Sequence, residues 1–177
     1  MRFTKAIVPI TLFVLLMSLA APAQKRYGRA AKPRPVVSPI DTEALKGLLT
    51  QQRERPLLVN FWATFCDPCR DEFPDLVKID KEYRPRSLDF VTVSLDDMTD
   101  IKTSVPQFLD SMKATMPAYI LNVSDPEPAI NLVDSRWQGD LPATFLYNEK
   151  GELVYKHIGR VNTAELRAAI EKVVSRR

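Results

Sequence analysis

The residues best suited to chemistry are Cys66 and Cys69, the only two cysteines among the 177 residues of the chain. They follow an apolar run, LLVNFW (57–62), that predicts a buried strand, and they precede a helical pattern. A sulfur at the start of a helix lies beside unpaired N–H groups and the positive end of the helix dipole, which stabilise an anion. We therefore expect Cys66 to be the reactive thiolate and Cys69, one turn later and shielded from solvent, to be the resolving thiol.

The residues between and around the cysteines agree with a helix that begins near Cys66. Pro68 suits the first turn, because its missing N–H is not needed there and its φ angle is already helical. Phe73, Leu76, Ile79 and Tyr83 then recur at helical spacing, so the helix is expected to reach about Tyr83 with a kink at Pro74.

Two other uses of the cysteine pair are a zinc site and a structural disulfide. A zinc site takes about four ligands, and beyond the two thiols the chain offers one histidine, His157, so the ligand count speaks against zinc. A structural disulfide is the second alternative. It is less favoured because so short a ring constrains the unfolded chain little and adds little stability.

The segment VNFWATFCDPCRDEFP resembles the active-site segment of thioredoxin-fold thiol-disulfide oxidoreductases of the TlpA/ResA group. The resemblance runs from about Asp41 to the C-terminus and includes a second segment, LPATFLYNEKGELV. It implies an α/β fold of the thioredoxin type, with a central mixed β-sheet flanked by helices and a central insertion. It also implies protein-disulfide exchange by the cysteine pair. We expect no bound cofactor and no metal.

Pro142 is expected at the entry to a strand, a position where proline is tolerated. In the resembled group this position is a cis-proline that faces the cysteines. That implies a role for Leu141 as well, since its backbone would be exposed for β-type pairing with an extended substrate segment. An apolar collar for docking partner proteins is expected from Trp62, Phe65, Pro68 and Leu141; Trp62 suits the core equally well.

Three polar positions are expected to modulate the chemistry. Asp67 would oppose the Cys66 thiolate and offset part of the helix dipole, which makes a stronger reductant; a solvated first-turn carboxylate is the alternative. Asn60 stands where thioredoxins carry a buried aspartate that handles the proton of the second cysteine. Glu72, three residues after Cys69, is the expected substitute as proton acceptor, with a solvated surface charge as the alternative.

The remaining pattern predicts the elements that position these residues. Asp41 caps a first helix, and strands are expected at 57–62, 88–95, 116–123, 143–147 and 152–158. Further helices are expected at 101–112, at 126–133 and from Asn162 or Thr163 to the C-terminus.

Residues 1–23 have the three parts of a secretory signal: basic Arg2 and Lys5, an apolar stretch at 6–20 and the small-residue site Ala21-Pro22-Ala23. An uncleaved membrane anchor is the alternative. Residues 24–40, with five basic residues and three prolines up to Pro39, predict an extended linker, and the domain is expected at 41–177. Without the signal the chain has 23 basic and 22 acidic residues, which gives no reason to expect nucleic acid.

These observations together predict an exported, monomeric enzyme that reduces disulfides in envelope proteins. It would need an electron donor, since an oxidising compartment otherwise keeps the pair oxidised. The resemblance implies that this donor is a membrane-embedded thiol reductase, and it adds cytochrome c maturation as a context. The alternatives are a disulfide oxidase or isomerase, and a copper-binding chaperone that uses the two thiolates as soft ligands.

Overall fold

The computed structural model describes residues 35–174 of the chain. The predicted signal at 1–23 and the first part of the predicted linker lie outside the described residues. Within the described part, no helix combines the length and the hydropathy that crossing a membrane requires.

The described chain has six strands and five α-helices, which alternate up to the fifth strand; the sixth strand follows the fifth directly. In order they are β1 (Val37–Ile40), α1 (Thr42–Thr50), β2 (Leu57–Trp62), α2 (Asp67–Tyr83), β3 (Asp89–Ser94), α3 (Ser104–Ser111), β4 (Ala118–Leu121), α4 (Glu127–Val133), β5 (Ala143–Tyr147), β6 (Leu153–Ile158) and α5 (Thr163–Val174). Short 3-10 helices at Arg84–Arg86 and Met98–Lys102 precede β3 and α3.

The strands form one mixed sheet in the order β1-β4-β3-β2-β5-β6. The first four are parallel to one another, and β5 and β6 are antiparallel to their neighbours. The predicted fold class is therefore confirmed, and the segment between β3 and β5 carries the extra helix and strand that the resemblance implied.

Side chains of β2 alternate between two cores, one on each face of the sheet. Leu58 and Trp62 face α2, α3 and α5, whereas Val59 and Phe61 face α1 and α4. All six residues of β2 are buried, because helices cover both faces. An unbroken apolar run in the sequence is the pattern that such a strand requires.

The N-terminal caps predicted for the first and the last helix are confirmed. The side chain of Asp41 accepts the N–H of Ala44 at 2.8 Å, and that of Asn162 accepts the N–H of Ala164 at 3.0 Å. Asn162, of the two candidates named above, is thus the residue that caps α5. The helix expected at 101–112 is shorter than predicted: a 3-10 turn ends at Lys102 and α3 begins at Ser104.

The predicted boundary between the linker and the domain, after residue 40, is wrong. Residues 37–40 form β1, which pairs in parallel with β4, and Ile40 is buried. The prolines and charges around this segment suggested a solvated chain, but an edge strand tolerates proline because one side of its backbone needs no partner. Folded structure therefore begins before Asp41.

Candidate active site

Cys66 and Cys69 form a disulfide at the point where β2 gives way to α2, with a Cα–Cα distance of 5.3 Å. Cys66 caps the helix, and its Sγ accepts the N–H of Cys69 at 3.2 Å. Cys66 is half-buried, whereas Cys69 is fully buried. The sulfur at the helix terminus is thus the one that a partner can reach, and the second sulfur is shielded.

The helix that carries the cysteines begins as the sequence predicts. Asp67 and Pro68 occupy its first turn, both exposed, and the helix runs through Pro74 to Tyr83. Asp67 is placed where its charge could act on Cys66, and its tuning role stays a prediction.

Glu72 lies in the interior, with 1% of its surface exposed. One carboxylate oxygen accepts a hydrogen bond from Asn60 Nδ2 at 3.0 Å, and the other accepts the backbone N–H of Val161 at 2.8 Å. Burial raises the pKa of Glu72 to about 7, although these two hydrogen bonds and the positive charge of Arg160 lower it in part. A carboxylate with that pKa can both accept and return a proton near neutral pH.

Helix geometry places Glu72 next to Cys69. Residues three apart on a helix share a face, with Cβ atoms about 5–6 Å apart. Asn60, on β2, binds both this glutamate and the neighbouring strand: its Nδ2 also donates a hydrogen bond to Thr144 Oγ1 on β5 at 3.2 Å. Asn60 therefore holds the carboxylate of Glu72 from β2.

The Leu141–Pro142 peptide bond is cis, as the resemblance implied. Pro142 is buried and precedes β5, and its C=O accepts the N–H of Gly159 at 2.8 Å. Leu141 is half-buried, and among the described residues none hydrogen-bonds to its backbone N–H or C=O. These groups are available for an incoming strand.

Of the four residues predicted for the docking collar, three lie at the surface or half-buried. Phe65, directly before Cys66, is 74% exposed, Pro68 is exposed and Leu141 is half-buried. Trp62 is not part of such a surface: it is fully buried and stacks on Phe108 at 4.4 Å between ring centroids. Its side of β2 is covered by α3, a helix whose position the local pattern does not reveal.

Among residues 35–174, no group of three or more His, Cys, Asp and Glu side chains is arranged to hold a metal ion. His157 lies on β6, as predicted, with Nε2 at 3.0 Å from the C=O of Arg160.

Sequence reasoning missed Asp96, which follows the carboxyl end of β3 and lies one strand away from the cysteine loop. Its carboxylate is buried and contacts Thr64, two residues before Cys66. The sequence held a usable signal, since side chains that follow adjacent parallel strands meet at the same edge of the sheet.

Comparison with known proteins places this geometry in a family. The model of the AhpC/TSA family matches residues 39–156, which contain both cysteines, Glu72 and the cis-proline. The chain belongs to the AhpC/TSA family. Individual relatives also include ResA-type oxidoreductases, as the cysteine motif implied.

The AhpC/TSA chain is 30% identical over 120 residues to the thiol-disulfide oxidoreductase ResA of Halalkalibacterium halodurans; the match covers 66% of this chain and 63% of that relative. It is 22% identical to the sporulation thiol-disulfide oxidoreductase A of Bacillus subtilis, over 92% of this chain and 96% of that one. The crystal structure of a thioredoxin-related protein from Neisseria meningitidis serogroup B matches with a TM-score of 0.60 and 26% identity, over 72% of this chain and 91% of that one. The fold is therefore that of thioredoxin-like proteins.

Proposed function

We propose that this chain is a thiol-disulfide oxidoreductase that reduces disulfides in other proteins through Cys66 and Cys69. The observation that carries the proposal is the buried carboxylate of Glu72, held beside the buried Cys69 with its pKa raised to about 7. A structural disulfide has no use for a proton acceptor of this kind. A resolving thiol needs one, because only its thiolate attacks.

The reaction transfers two electrons in two exchanges. The Cys66 thiolate attacks one sulfur of the substrate disulfide, which breaks that bond, forms a mixed disulfide and releases the first substrate thiolate. Cys69 then gives its proton to Glu72 and attacks the Cys66 sulfur. The second substrate thiolate leaves and takes up a proton, and the chain is left with the Cys66–Cys69 disulfide.

The first test replaces Glu72 by Gln, which has nearly the same shape but cannot accept the proton. Release of the mixed disulfide should slow by ~10²–10⁴-fold at pH 6 to 7, the usual worth of positioned acid-base catalysis. The defect should shrink towards pH 9 as Cys69 ionises without help. Stopped-flow reduction of a model disulfide from pH 6 to 9 measures both effects.

Asp71→Asn is the matched control for this test. Asp71 is the neighbouring carboxylate on α2 and is exposed, so its removal changes the surface charge but not the interior. Its rate profile should overlie that of the wild type. If the Glu72→Gln profile did so too, Glu72 would have no part in proton transfer.

The direction of exchange is also part of the proposal. The similar proteins are named thiol-disulfide oxidoreductases, a name that gives no direction, so a reduction potential decides between reductase and oxidase. We expect a value near that of thioredoxin, about −270 mV; a value near −120 mV, that of the strong oxidant DsbA, would contradict the reductase assignment.

We further propose that the substrates are disulfide-containing envelope proteins, including proteins of cytochrome c maturation, and that a membrane thiol reductase supplies electrons. Support comes from the secretory pattern at 1–23. The exposed Phe65 and Pro68 and the free backbone of Leu141 provide a surface for an extended segment beside Cys66.

A Cys69→Ser variant tests the identity of the substrate. The variant should hold its substrate as a mixed disulfide on Cys66, because the hydroxyl cannot complete the second exchange. Captured proteins are identified after release with reductant, and a Cys66→Ser variant serves as the control that should capture none. Proteins recovered equally with both variants would not be substrates of Cys66.

A further inference from the structure

The loop that delivers Cys66 leaves the sheet beside the end of β3. The last paired residues of β2 and β3 are Trp62 and Ser94, and the N–H of Leu95 donates to the C=O of Trp62 at 2.8 Å. Beyond these residues the two backbones are no longer paired as strands. Any further connection between the cysteine loop and β3 must come from side chains.

Asp96 provides that connection. Its Oδ1 and Oδ2 accept the backbone N–H of Thr64 at 3.1 and 3.0 Å, and Oδ1 also accepts the hydroxyl of Thr64 at 2.5 Å. The hydroxyl of Ser94 donates to Oδ2 and accepts the N–H of Asp96 at 3.0 Å. The carboxylate is 5% exposed, so these charge-assisted hydrogen bonds are little weakened by water.

Thr64 is held from its other side as well. Its C=O accepts a hydrogen bond from Arg70 Nη2 at 3.2 Å, and the N–H of Cys66 donates to the C=O of Ala63 at 3.2 Å. Hydrogen bonds to Asp96 after β3 and to Arg70 on α2 thus fix Thr64 from two sides, and a backbone hydrogen bond joins Ala63 to Cys66. The position of the Cys66 sulfur at the start of the helix depends on this short loop.

We propose that Asp96 is a positioning residue for disulfide exchange, which holds Thr64, and through it Cys66, where Cys69 can attack the mixed disulfide. The inference rests on the exchange chemistry of the proposed function. Asp96 is not in contact with either sulfur, and it acts through the loop. Attack by Cys69 on a sulfur of the same chain depends steeply on geometry, since a displacement of 1 Å can cost about 10²-fold in rate.

Charge is the competing explanation for any effect of Asp96. The groups near Cys66 include Asp67, Arg70 and Asp71 on α2 and the buried Glu72, and Asp96 adds one more negative charge. A test must therefore loosen the loop without removing that charge. Thr64→Val does so, because it deletes the hydroxyl that binds Asp96 and keeps the carboxylate, while Thr64→Ser restores the hydroxyl.

The experiment follows the reduced full-length chain as it reacts with 5,5′-dithiobis(2-nitrobenzoate), whose two halves are released as coloured thiolates. The first release reports attack by Cys66 and the second reports attack by Cys69. Measurement at pH 9 removes the need for Glu72 as proton acceptor. We expect Thr64→Val and Asp96→Asn to slow the second release by about tenfold, and Thr64→Ser to stay within about twofold of the wild type.

Asp80→Asn is the control for loss of a buried carboxylate. Asp80 is 1% exposed and binds Arg84 and the hydroxyl of Thr115, but it lies some 20 Å along α2 from Cys66. It should lower stability and leave both release rates unchanged. All variants are compared under conditions where circular dichroism shows them folded.

The outcomes separate the explanations. If Thr64→Val and Thr64→Ser release the second half at the same rate, or if Asp80→Asn slows it as much as Asp96→Asn does, Asp96 is not a positioning residue. An Asp96→Asn variant in which only the first release changes acts through the charge near Cys66, and that result also overturns the proposal. A wild-type chain that releases no second half contradicts the proposed function instead.

Discussion

Among single residues, Glu72 links the stability of the fold to pH. Its pKa is about 7 in the folded chain against 4.5 for an ordinary glutamate, because burial disfavours the charged form. Between these values the folded chain binds more protons than the unfolded chain, so the free energy of unfolding falls as pH rises. The difference in pKa corresponds to about 3 kcal/mol of stability. This contribution is fully present below pH 4.5 and is fully lost only above pH 7.

Replacing Glu72 by Gln should therefore flatten the pH dependence of stability. Between pH 4.5 and 7.5 the wild-type free energy of unfolding should fall by up to about 3 kcal/mol more than that of the variant. Urea titrations of the oxidised proteins at several pH values measure this, and all other groups contribute equally to both. Asp71→Asn should behave as the wild type, and parallel curves for all three proteins would mean that Glu72 is ionised in the fold at little cost.

Among the elements, α3 covers the face of β2 that would otherwise expose Trp62. Phe108 of α3 stacks on Trp62, meets Phe73 of α2 edge-on at 5.1 Å and carries the guanidinium of Arg70 above its ring. Helix α3, which belongs to the insertion, thus packs against the first turns of the active-site helix α2. We expect the contacts of Phe108 to contribute strongly to the stability of the fold.

Phe108→Ala should lower the free energy of unfolding by about 3–5 kcal/mol, since it opens a cavity among aromatic rings. Phe65→Ala removes the same side chain from a site that is 74% exposed, and it should change stability by no more than about 0.5 kcal/mol. Chemical denaturation followed by tryptophan fluorescence compares the two. Equal losses would show that α3 is not packed on the core as described.

At the scale of the whole molecule, the sequence predicts what depends on neighbouring residues and misses what depends on distant ones. The cysteine pair, the cap at Asp41 and the strand at 57–62 are each encoded within a few residues, and the structure has them. The contact of Glu72 with Val161 joins positions 89 residues apart, and that of Thr64 with Asp96 joins positions 32 apart. No periodic pattern within a stretch of sequence predicts contacts between residues so far apart.

The environment of Trp62 shows the same limit in another way. Alternation along β2 predicts which residues share a face, but only the placement of α3 decides whether that face meets water. The edge strand β1 was hidden by its composition, because Pro39 and the charges nearby are typical of a linker. Burial of Trp62 by a distant helix and pairing of β1 at the sheet edge both depend on tertiary structure, so the local sequence does not predict them.

The position of β1 also bears on how the domain responds to mechanical force. Because β1 runs parallel to β2, Val37 at its start lies at the opposite edge of the sheet from Cys66, and the two strands are three positions apart in the strand order. Tension applied between Val37 and a partner joined to Cys66 would thus run along the strands. The hydrogen bonds between β1 and β4 would then bear this force together, in shear, so a substrate held as a mixed disulfide would pull against the whole β1–β4 pairing at once.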